Sequence, residues 1–314
     1  MIGWCVAALV VAGAVRLLVP WEGLTTEILA LRAHRIAIGV VVGGVLALGG
    51  VLMQHLMRNP LASPDFLGMA AGGGFAVSLG IVALGGGLAW PIQATLALCG
   101  AMVALAMVYV LSRRHGGVDP SVLILVGVVI GLMCAAGTML VQHLSPDRGE
   151  SSRRWLLGAI DENTPRSAVV CIAVLLGGAM VWTQRSASAL DASVLGDDEA
   201  RSMGVDVPRI RRVEFVLTGL LAAGAVVLSG PVGFVGLIGS HVARGLGGPR
   251  HRLLAWSAPL AGATVVLLSD GLSGWLATAG GRIPLGVVTS ILGGITLLVI
   301  LRRGIFGGRG GGWL

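Results

Sequence analysis

The sequence predicts an all-α polytopic membrane protein, and three observations support that class: high hydropathy, few charged residues and a succession of long apolar stretches. The mean hydropathy of the 314 residues is +0.90, and 55% of them are hydrophobic. Only 12% are charged, whereas soluble domains carry about 25%. So few polar residues cannot cover a water-facing globule, and we expect lipid to cover most of the surface. Residues 1–314 are interpreted as a single transmembrane domain.

Long apolar stretches define the predicted spans, because a helix needs about 20 mostly apolar residues to cross a bilayer. The candidates are residues 2–19, 36–57, 66–87, 90–111, 121–143, 167–184, 213–230, 253–278 and 284–302. A further stretch, 233–247, is short and is interpreted as a partial or tilted span. The first stretch has no basic region before it, which favours a retained span over a removed signal peptide. We therefore predict about ten transmembrane helices.

The basic residues predict the orientation of the chain. All 22 are Arg, and cytoplasmic loops carry an excess of basic residues. With ten alternating crossings, most of the Arg residues fall on the side of the two termini, which predicts that both termini are cytoplasmic. The Arg residues are scattered between apolar stretches and do not line one face, so we expect no nucleic-acid partner.

The absence of lysine excludes one kind of nucleotide site. A Walker A loop uses a Lys to reach the phosphates, and the sequence contains none. If the protein works with ATP, another chain must bind it. The His and Cys residues show no metal-ligand spacing, and each His is interpreted as an interfacial or loop residue. We expect no catalytic site, no metal and no cofactor on this chain.

Two polar segments are long enough to form elements of their own. Residues 145–166 are predicted to lie outside and to contain a short amphipathic helix, Arg153–Gly158. Residues 187–212 are predicted to lie inside, with Asp197, Asp198 and Glu199 opening a short helix that Gly204 closes. Acidic residues at a helix start and Gly after its end suit the helix dipole and the cap. An ordered polar helix between spans indicates a docking site, and a merely solvated loop is the alternative.

Three motifs lie along the chain in a fixed order. The first is Arg32-Ala-His-Arg35, an apolar helix, and then residues 54–68, QHLMRNPLASPDFLG. The second is residues 195–204, LGDDEARSMG. The third is residues 230–241, GPVGFVGLIGSH, followed by Asp270 and residues 283–289, IPLGVVT. Together these motifs resemble the FecCD family, the iron-siderophore and vitamin B12 class of ABC-transporter permeases.

The resemblance implies a BtuC-like type II ABC importer permease of ten helices, a multi-pass protein of the bacterial cytoplasmic membrane. It implies three protein partners: a cytoplasmic ABC ATPase dimer, a second FecCD-type permease and an extracytoplasmic substrate-binding protein. The implied cargo is a metal chelate, most commonly a ferric siderophore, with cobalamin or haem as alternatives. The separate ATPase subunit would hydrolyse the ATP.

The resemblance also implies roles for individual residues. Residues that match the family's coupling helix are expected to face the ATPase: Leu195, Gly196, Asp197, Asp198, Glu199, Arg201 and Gly204. Arg32 and Arg35 match outer arginines that meet acidic residues of the binding protein, and headgroup anchoring is the alternative. Arg58, Asn59 and Pro60 are expected to form a structured turn that supports the ATPase interface.

Departures from the family pattern concern the third motif and the last helices. Ser240 stands where the family usually has Pro, Gly274 where Arg is frequent, and Arg282 where Glu is usual. We hypothesise that Arg282 supplies an outer charge for docking the binding protein. Because these changes put a homodimeric pore in doubt, the sequence favours a heterodimer with a more typical permease.

The main rival from another class is a secondary transporter driven by an ion gradient. Such a protein needs paired ionisable groups at mid-membrane, usually on broken helices. Asp270 is the only acidic residue deep in a late span, and we expect no ionisable partner for it. An Asp near a helix end can instead cap or bridge helices, so the sequence favours the ABC permease.

Overall fold

The computed structural model describes residues 2–18, 25–84, 88–114, 117–118, 120–145, 156–277 and 282–306. The helices in these ranges, numbered along the chain, are α1 (Ile2–Leu18), α2 (Thr26–Leu56), α3 (Met69–Leu84), α4 (Trp90–Leu111), α5 (Pro120–Leu144), α6 (Arg166–Arg185), α7 (Ala187–Leu195), α8 (Asp197–Ser202), α9 (Val207–Ser229), α10 (Val235–Gly247), α11 (His251–Trp275) and α12 (Leu285–Phe306). A 3-10 turn occupies Pro64–Leu67. Two-residue strands, Arg113–Arg114 and Gly117–Val118, pair antiparallel between α4 and α5. The predicted helical class is confirmed.

A helix occupies each of the ten predicted spans, but their lengths differ. Within the described ranges, six helices are long and apolar enough to cross a membrane: α2, α4, α5, α6, α9 and α11. Three shorter apolar helices cover Cys5–Ala14, Met69–Leu84 and Leu285–Ile300. The total of about ten crossings therefore stays a prediction. The predicted outer helix Arg153–Gly158 lies largely outside the described residues.

Helix α2 is the central element of the fold. It packs against α1, α6, α9, α10 and α11, and every residue from Val41 to Gln54 is buried. A helix that is apolar on all sides is expected at the centre of a bundle. Gly43 allows a close contact with α11, because a Cβ there would lie 2.3 Å from the Gly262 carbonyl oxygen. Small residues at this contact thus allow the two helices to pack closely.

Helix α10 begins beside the middle of α2 and does not follow its full length. A Cβ on Gly236, in the first turn of α10, would lie 2.9 Å from the Leu46 carbonyl oxygen. The start of α10 is held by Asp65 of the 3-10 turn, whose Oδ2 accepts a hydrogen bond from the Phe234 backbone N–H at 3.0 Å. Phe234 has the left-handed φ of 65°. The short predicted stretch 233–247 is therefore a helix of 13 residues that starts inside the bundle.

Apolar side chains cover much of the outer surface of the described helices. Leu132, Met133 and Met139 of α5 are more than 60% exposed, as are Val170 and Val174 of α6. Exposed apolar surface of this extent marks contact with lipid or with another protein. The two main buried clusters follow one another along α2: the first includes its residues from Ile38 to Leu52 and extends to α6, α9 and α11, and the second includes Met53 and Leu56 and extends to α3, α4 and α5.

Candidate functional site: the coupling segment and the outer charge cluster

The polar segment 187–212, called here the coupling segment, is ordered and consists of two short helices and the start of a long one. Helix α7 ends at Leu195, α8 covers Asp197–Ser202, and α9 begins at Val207. Asp206 caps α9, since its Oδ1 accepts a hydrogen bond from the Arg209 backbone N–H at 3.1 Å. The predicted short helix is therefore present, and the three acidic residues occupy its first turn, where the helix dipole favours negative charge.

Gly196 forms the joint between α7 and α8. Its φ of 150° is a conformation that L side chains rarely adopt, and Gly adopts it without a Cβ penalty. A Cβ at this position would also lie 1.9 Å from Oε2 of Glu199. Gly204, with a φ of 80°, closes the far end of α8 in the same way.

Helix α8 presents a mixed charged and apolar surface to solvent. The Asp198 side chain is 92% exposed and pairs with Arg201, at 2.9 Å, on the same helix. Leu195 and Met203, on either side of the helix, are 66% and 55% exposed. Ala200, in contrast, is fully buried beneath the helix. Exposed apolar residues beside charged ones are typical of a surface that docks a partner.

Asp197 points back towards the bundle and fastens α8 to it. Its Oδ1 pairs with Nη2 of Arg211 in α9 at 2.9 Å and with Nη2 of Arg58 after α2. The same Arg58 nitrogen also donates to the Ser193 carbonyl oxygen at 3.3 Å. Asp197 is one of the residues expected to face the ATPase. Its side chain, however, is less exposed than those of the other charged residues of α8.

Arg58, Asn59 and Pro60 lie in the turn that follows α2. Asn59 Oδ1 accepts a hydrogen bond from the Leu61 backbone N–H at 2.9 Å, and the Asn59 carbonyl accepts one from Ala62 at 3.0 Å. Such side-chain bonds to the local backbone are typical of Asn in turns. The turn holds Arg58 within reach of the coupling segment, and the Arg58–Asp197 ion pair thus links the turn after α2 to α8.

Where the coupling segment packs against the bundle lies a cluster that the sequence did not predict: His55, Asp191, Glu214 and His251. Nδ1 of His55 lies 2.6 Å from Oε1 of Glu214, and Nδ1 of His251 lies 2.7 Å from Oδ1 of Asp191. The two imidazole rings meet edge to face with centroids 4.9 Å apart. Both His residues lie at helix ends, His55 in the last turn of α2 and His251 at the start of α11, but their side chains are buried because helix packing brings together residues far apart in sequence.

The environment of Asp191 shifts the pKa of its carboxyl. Partial burial alone would raise this pKa, but hydrogen bonds from the His251 ring and backbone N–H favour the carboxylate more strongly. The pKa of Asp191 consequently lies below its ordinary value. Asp191 therefore remains charged and holds the start of α11 to α7.

At the opposite end of α2, Arg35 is buried in an ion-pair cluster. Its Nη2 pairs with Oδ1 of Asp270 at 2.7 Å, its Nη1 with Oε1 of Glu162 at 3.0 Å, and Nη1 also donates to the Ile160 carbonyl oxygen. The expectation that Asp270 has no ionisable partner is wrong. Asp270 bridges α11 to α2, in line with the structural alternative for this residue.

Glu162 connects this buried pair to the surface. Its Oε1 also lies 3.8 Å from Nη1 of Arg282, and these two side chains are 36% and 47% exposed. Arg282 and Arg35 therefore belong to one outer charge cluster, comprising Arg35, Glu162, Asp270 and Arg282. Arg32 lies one turn before Arg35 on α2 and is half-buried. Arg35 is 9% exposed, so its guanidinium is directed inward in this conformation, whereas Arg282 is accessible.

Comparison with known proteins identifies the class of protein to which the chain belongs. The solved structure of a metal-chelate type ABC transporter in an inward-facing conformation superimposes with a TM-score of 0.83 and 27% identity, covering 96% of this chain and 98% of that one. The sequence profile of the FecCD transport family matches residues 2–303. The chain belongs to the FecCD transport family.

Curated relatives agree with this assignment. The ferric enterobactin transport system permease protein FepD of Escherichia coli is 34% identical over 288 residues, covering 90% of this chain and 84% of the relative. The hemin transport system permease protein HmuU of Yersinia pestis is 33% identical, covering 88% and 83%. The chain is thus a membrane-embedded ABC-transporter permease. Among the residues described, no group of three or more His, Cys, Asp or Glu could hold a metal ion.

Proposed function

We propose that this chain is the permease subunit of an importer that moves a metal chelate into the cytoplasm, with ATP hydrolysed by a separate ATPase. The observation that carries the proposal is the exposed helix α8, fastened by Asp197 to Arg58 and Arg211. A solvent-exposed docking helix tied by ion pairs to α9 and to the turn that follows the central helix is suited to transmit a partner's movement. The sequence has no Lys for a phosphate-binding loop, which agrees with an energy source on another chain.

In this mechanism the two ATPases draw together on binding ATP and displace α8. Asp197 passes the displacement to Arg58 at the end of α2 and to Arg211 near the start of α9. Because α2 is buried on all sides, a shift at its end moves several packed helices together. Such rigid-body switching between two packings is a common form of conformational change.

We assign the substrate-binding protein to the opposite end, at the outer charge cluster. The accessible Arg282 and the half-buried Arg32 are the proposed contacts for acidic residues of that protein, since arginine and carboxylate form charge-assisted bonds. Arg35 contributes indirectly by orienting Glu162. Both termini are then cytoplasmic, together with the coupling segment.

The proposed cargo is a ferric siderophore, supported by the relative named for ferric enterobactin. Haem is the first alternative, supported by the relative named for hemin, and cobalamin is the second. The few charges among the described span residues suit a path from which a bulky chelate must be released. The rival secondary transporter finds no support in the Arg35–Asp270 pair, because Arg keeps its proton and cannot serve as a proton relay.

Reconstitution tests the proposal. The liposomes contain this permease, the second permease of its complex, the ATPase and the binding protein. They should take up labelled ferric siderophore only when ATP is present on the side of the membrane that carries the ATPase. Liposomes without the ATPase are the control and should show no uptake under a proton or sodium gradient. Gradient-driven uptake in that control would contradict the proposal and support the secondary transporter.

A further inference from the structure

Four titratable side chains meet where the coupling segment packs against the bundle, each from a different helix. His55 comes from the end of α2, Asp191 from α7, Glu214 from α9 and His251 from the start of α11. The side chains of His55, Glu214 and His251 are at most 8% exposed. Buried polar groups of this kind are costly unless hydrogen-bonded, so their hydrogen positions can be deduced from their partners.

A neutral His55 imidazole and an ionised Glu214 carboxylate together hold one proton fewer than the contacts of His55 require. Its Nε2 lies 3.0 Å from the Leu190 carbonyl oxygen, which can only accept, so Nε2 carries a hydrogen. Its Nδ1 lies 2.6 Å from Oε1 of Glu214, and a second hydrogen must lie between these two atoms. A neutral imidazole has one N–H only. The pair therefore holds an extra proton, whether the ring or the carboxyl carries it.

His251 has no such requirement. Its Nδ1 faces Oδ1 of Asp191 at 2.7 Å, whereas its Nε2 is buried and has no hydrogen-bond partner among the residues described. The neutral tautomer with hydrogen on Nδ1 satisfies this arrangement. Leu190 and Asp191 are adjacent residues of α7. Leu190 is held by the His55–Glu214 pair, which needs an extra proton, and Asp191 is held by His251, which does not.

The His55–Glu214 pair lies among several other charged groups. The charged and titratable groups packed around it are Arg58 after α2, Asp191 of α7, Asp197 of α8, Arg211 of α9, His251 of α11 and, through Gln54, Arg244 of α10. Arg58 and Arg211 are both engaged by Asp197. With its proton the pair is neutral, and without it a net negative charge is left on Glu214, which is fully buried and whose Oε2 lacks a hydrogen-bond partner.

We propose that His55 and Glu214 are positioning residues that form a proton-dependent latch between α2 and the coupling segment. The latch is closed while the pair keeps its proton, and it opens as the pH rises and the proton leaves. Its effect on transport rests on the proposed function, because it requires that the coupling segment receives the movement of an ATPase. The latch itself is a property of this chain alone.

Two acid-to-amide substitutions of equal size separate the latch from the neighbouring pair. In Glu214→Gln the amide N–H donates to Nδ1 of a neutral His55, so Nε2–H still reaches Leu190 and no proton can be lost. Asp191→Asn keeps the acceptor for His251 and leaves the latch unchanged. The measurement is the melting temperature of the purified permease in lipid nanodiscs from neutral to alkaline pH. Wild type and Asp191→Asn should lose stability in parallel, and Glu214→Gln should not; parallel loss in all three overturns the latch.

A measurement on the unmodified protein covers the case in which Glu214→Gln does not fold. Nitrogen-15 NMR of labelled histidine and infrared spectra of the carboxyl region follow the extra proton directly. One proton should leave the His55–Glu214 pair on alkaline titration. A His55 ring with a single N–H beside an ionised Glu214 at neutral pH would overturn the proposal.

Transport per ATP hydrolysed tests the functional part in the reconstituted complex. Relative to Glu214→Gln, the wild type should lose at least about tenfold in this ratio between neutral and alkaline pH, as expected for loss of a hydrogen bond to a charged group. Equal pH profiles would overturn the role in coupling. Absence of ATP-driven uptake by the wild type at every pH would contradict the proposed function instead, and the melting curves would still decide on the latch.

Discussion

Arg35 and Asp270 show how a buried ion pair can join two apolar helices. The Arg35 side chain is 11% exposed and that of Asp270 is 2% exposed, and the guanidinium makes contacts to Asp270, Glu162 and a backbone carbonyl. A buried charge is tolerated when its hydrogen bonds are complete. Removing one partner leaves the other charge buried without compensation, which is the more costly state.

This residue pair gives the first prediction. Arg35→Met should destabilise the permease by about 3–5 kcal/mol, because it leaves the Asp270 carboxylate unpaired. Arg32→Met, one turn earlier on α2 and half-buried, should cost less than about 1 kcal/mol. Thermal unfolding of the two purified variants in detergent provides the comparison. Equal stability of both variants would show that the Arg35–Asp270 pair contributes nothing to the fold.

Asp191 gives the second prediction, on the acid side. Its pKa is lowered in the folded protein, since the hydrogen bonds from His251 outweigh the effect of burial. A lowered pKa means that the carboxylate stabilises the fold above its ordinary pKa and that this contribution is lost as the pH falls through the lowered value. In Asp191→Asn the melting temperature should therefore fall less steeply on acidification than in wild type. Asp198→Asn, exposed on α8, is the control, and an unchanged acid profile in Asp191→Asn would contradict the prediction.

At the scale of elements, local signals predicted α8 well, whereas contacts between distant helices were not predictable. Three acidic residues at the start and Gly204 after the end are sufficient to indicate a short capped helix. The short apolar run of α10 likewise indicated a partial span. The cluster of His55, Asp191, Glu214 and His251 was missed, because each residue stands alone in its own segment. The available signal was one titratable residue at the same end of four helices, which becomes meaningful only once their packing is known.

The joint between α7 and α8 gives the third prediction. Gly196→Ala should strain the joint, since the Cβ would meet Glu199 Oε2 at 1.9 Å and the φ of 150° disfavours any side chain, with a cost of about 1–3 kcal/mol. Uptake per ATP should fall while the overall helix content stays unchanged. Gly177→Ala in α6 is the matched control, because a Cβ there meets nothing within 4 Å. Wild-type coupling in Gly196→Ala would show that the geometry of the joint is unimportant.

At the scale of the whole molecule, composition and motifs predicted the class of protein, whereas the contacts of buried charged residues became known only from the structure. Few charges and long apolar stretches require a lipid-covered helical bundle, and the family match confirmed the permease. The direction of Arg35 could not be read from its motif, because an Arg at a helix end can face either a partner or the bundle. Packing of α2 against α11 turned it inward, where Asp270 neutralises it.

The oligomeric partner gives the fourth prediction. Because Ser240, Gly274 and Arg282 depart from the family pattern, we expect this chain to pair with a different FecCD-type permease. Co-expression of the two tagged permeases should yield a one-to-one complex by native mass spectrometry. Expression of this chain alone is the control, and a stable homodimer that supports ATP-driven uptake would contradict the prediction.

The central claim is that α8 transmits the movement of an ATPase to α2, and the ratio of chelate transported to ATP hydrolysed tests it most directly. Ala200 is buried in α8, and its backbone N–H donates to the Gly196 carbonyl at 3.0 Å. Ala200→Pro removes this bond, and Ala200→Ser, which keeps it, is the control. If α8 transmits this movement, Ala200→Pro loses both ATPase association and uptake, while Ala200→Ser retains both. Wild-type association and a wild-type transport ratio in Ala200→Pro would contradict it.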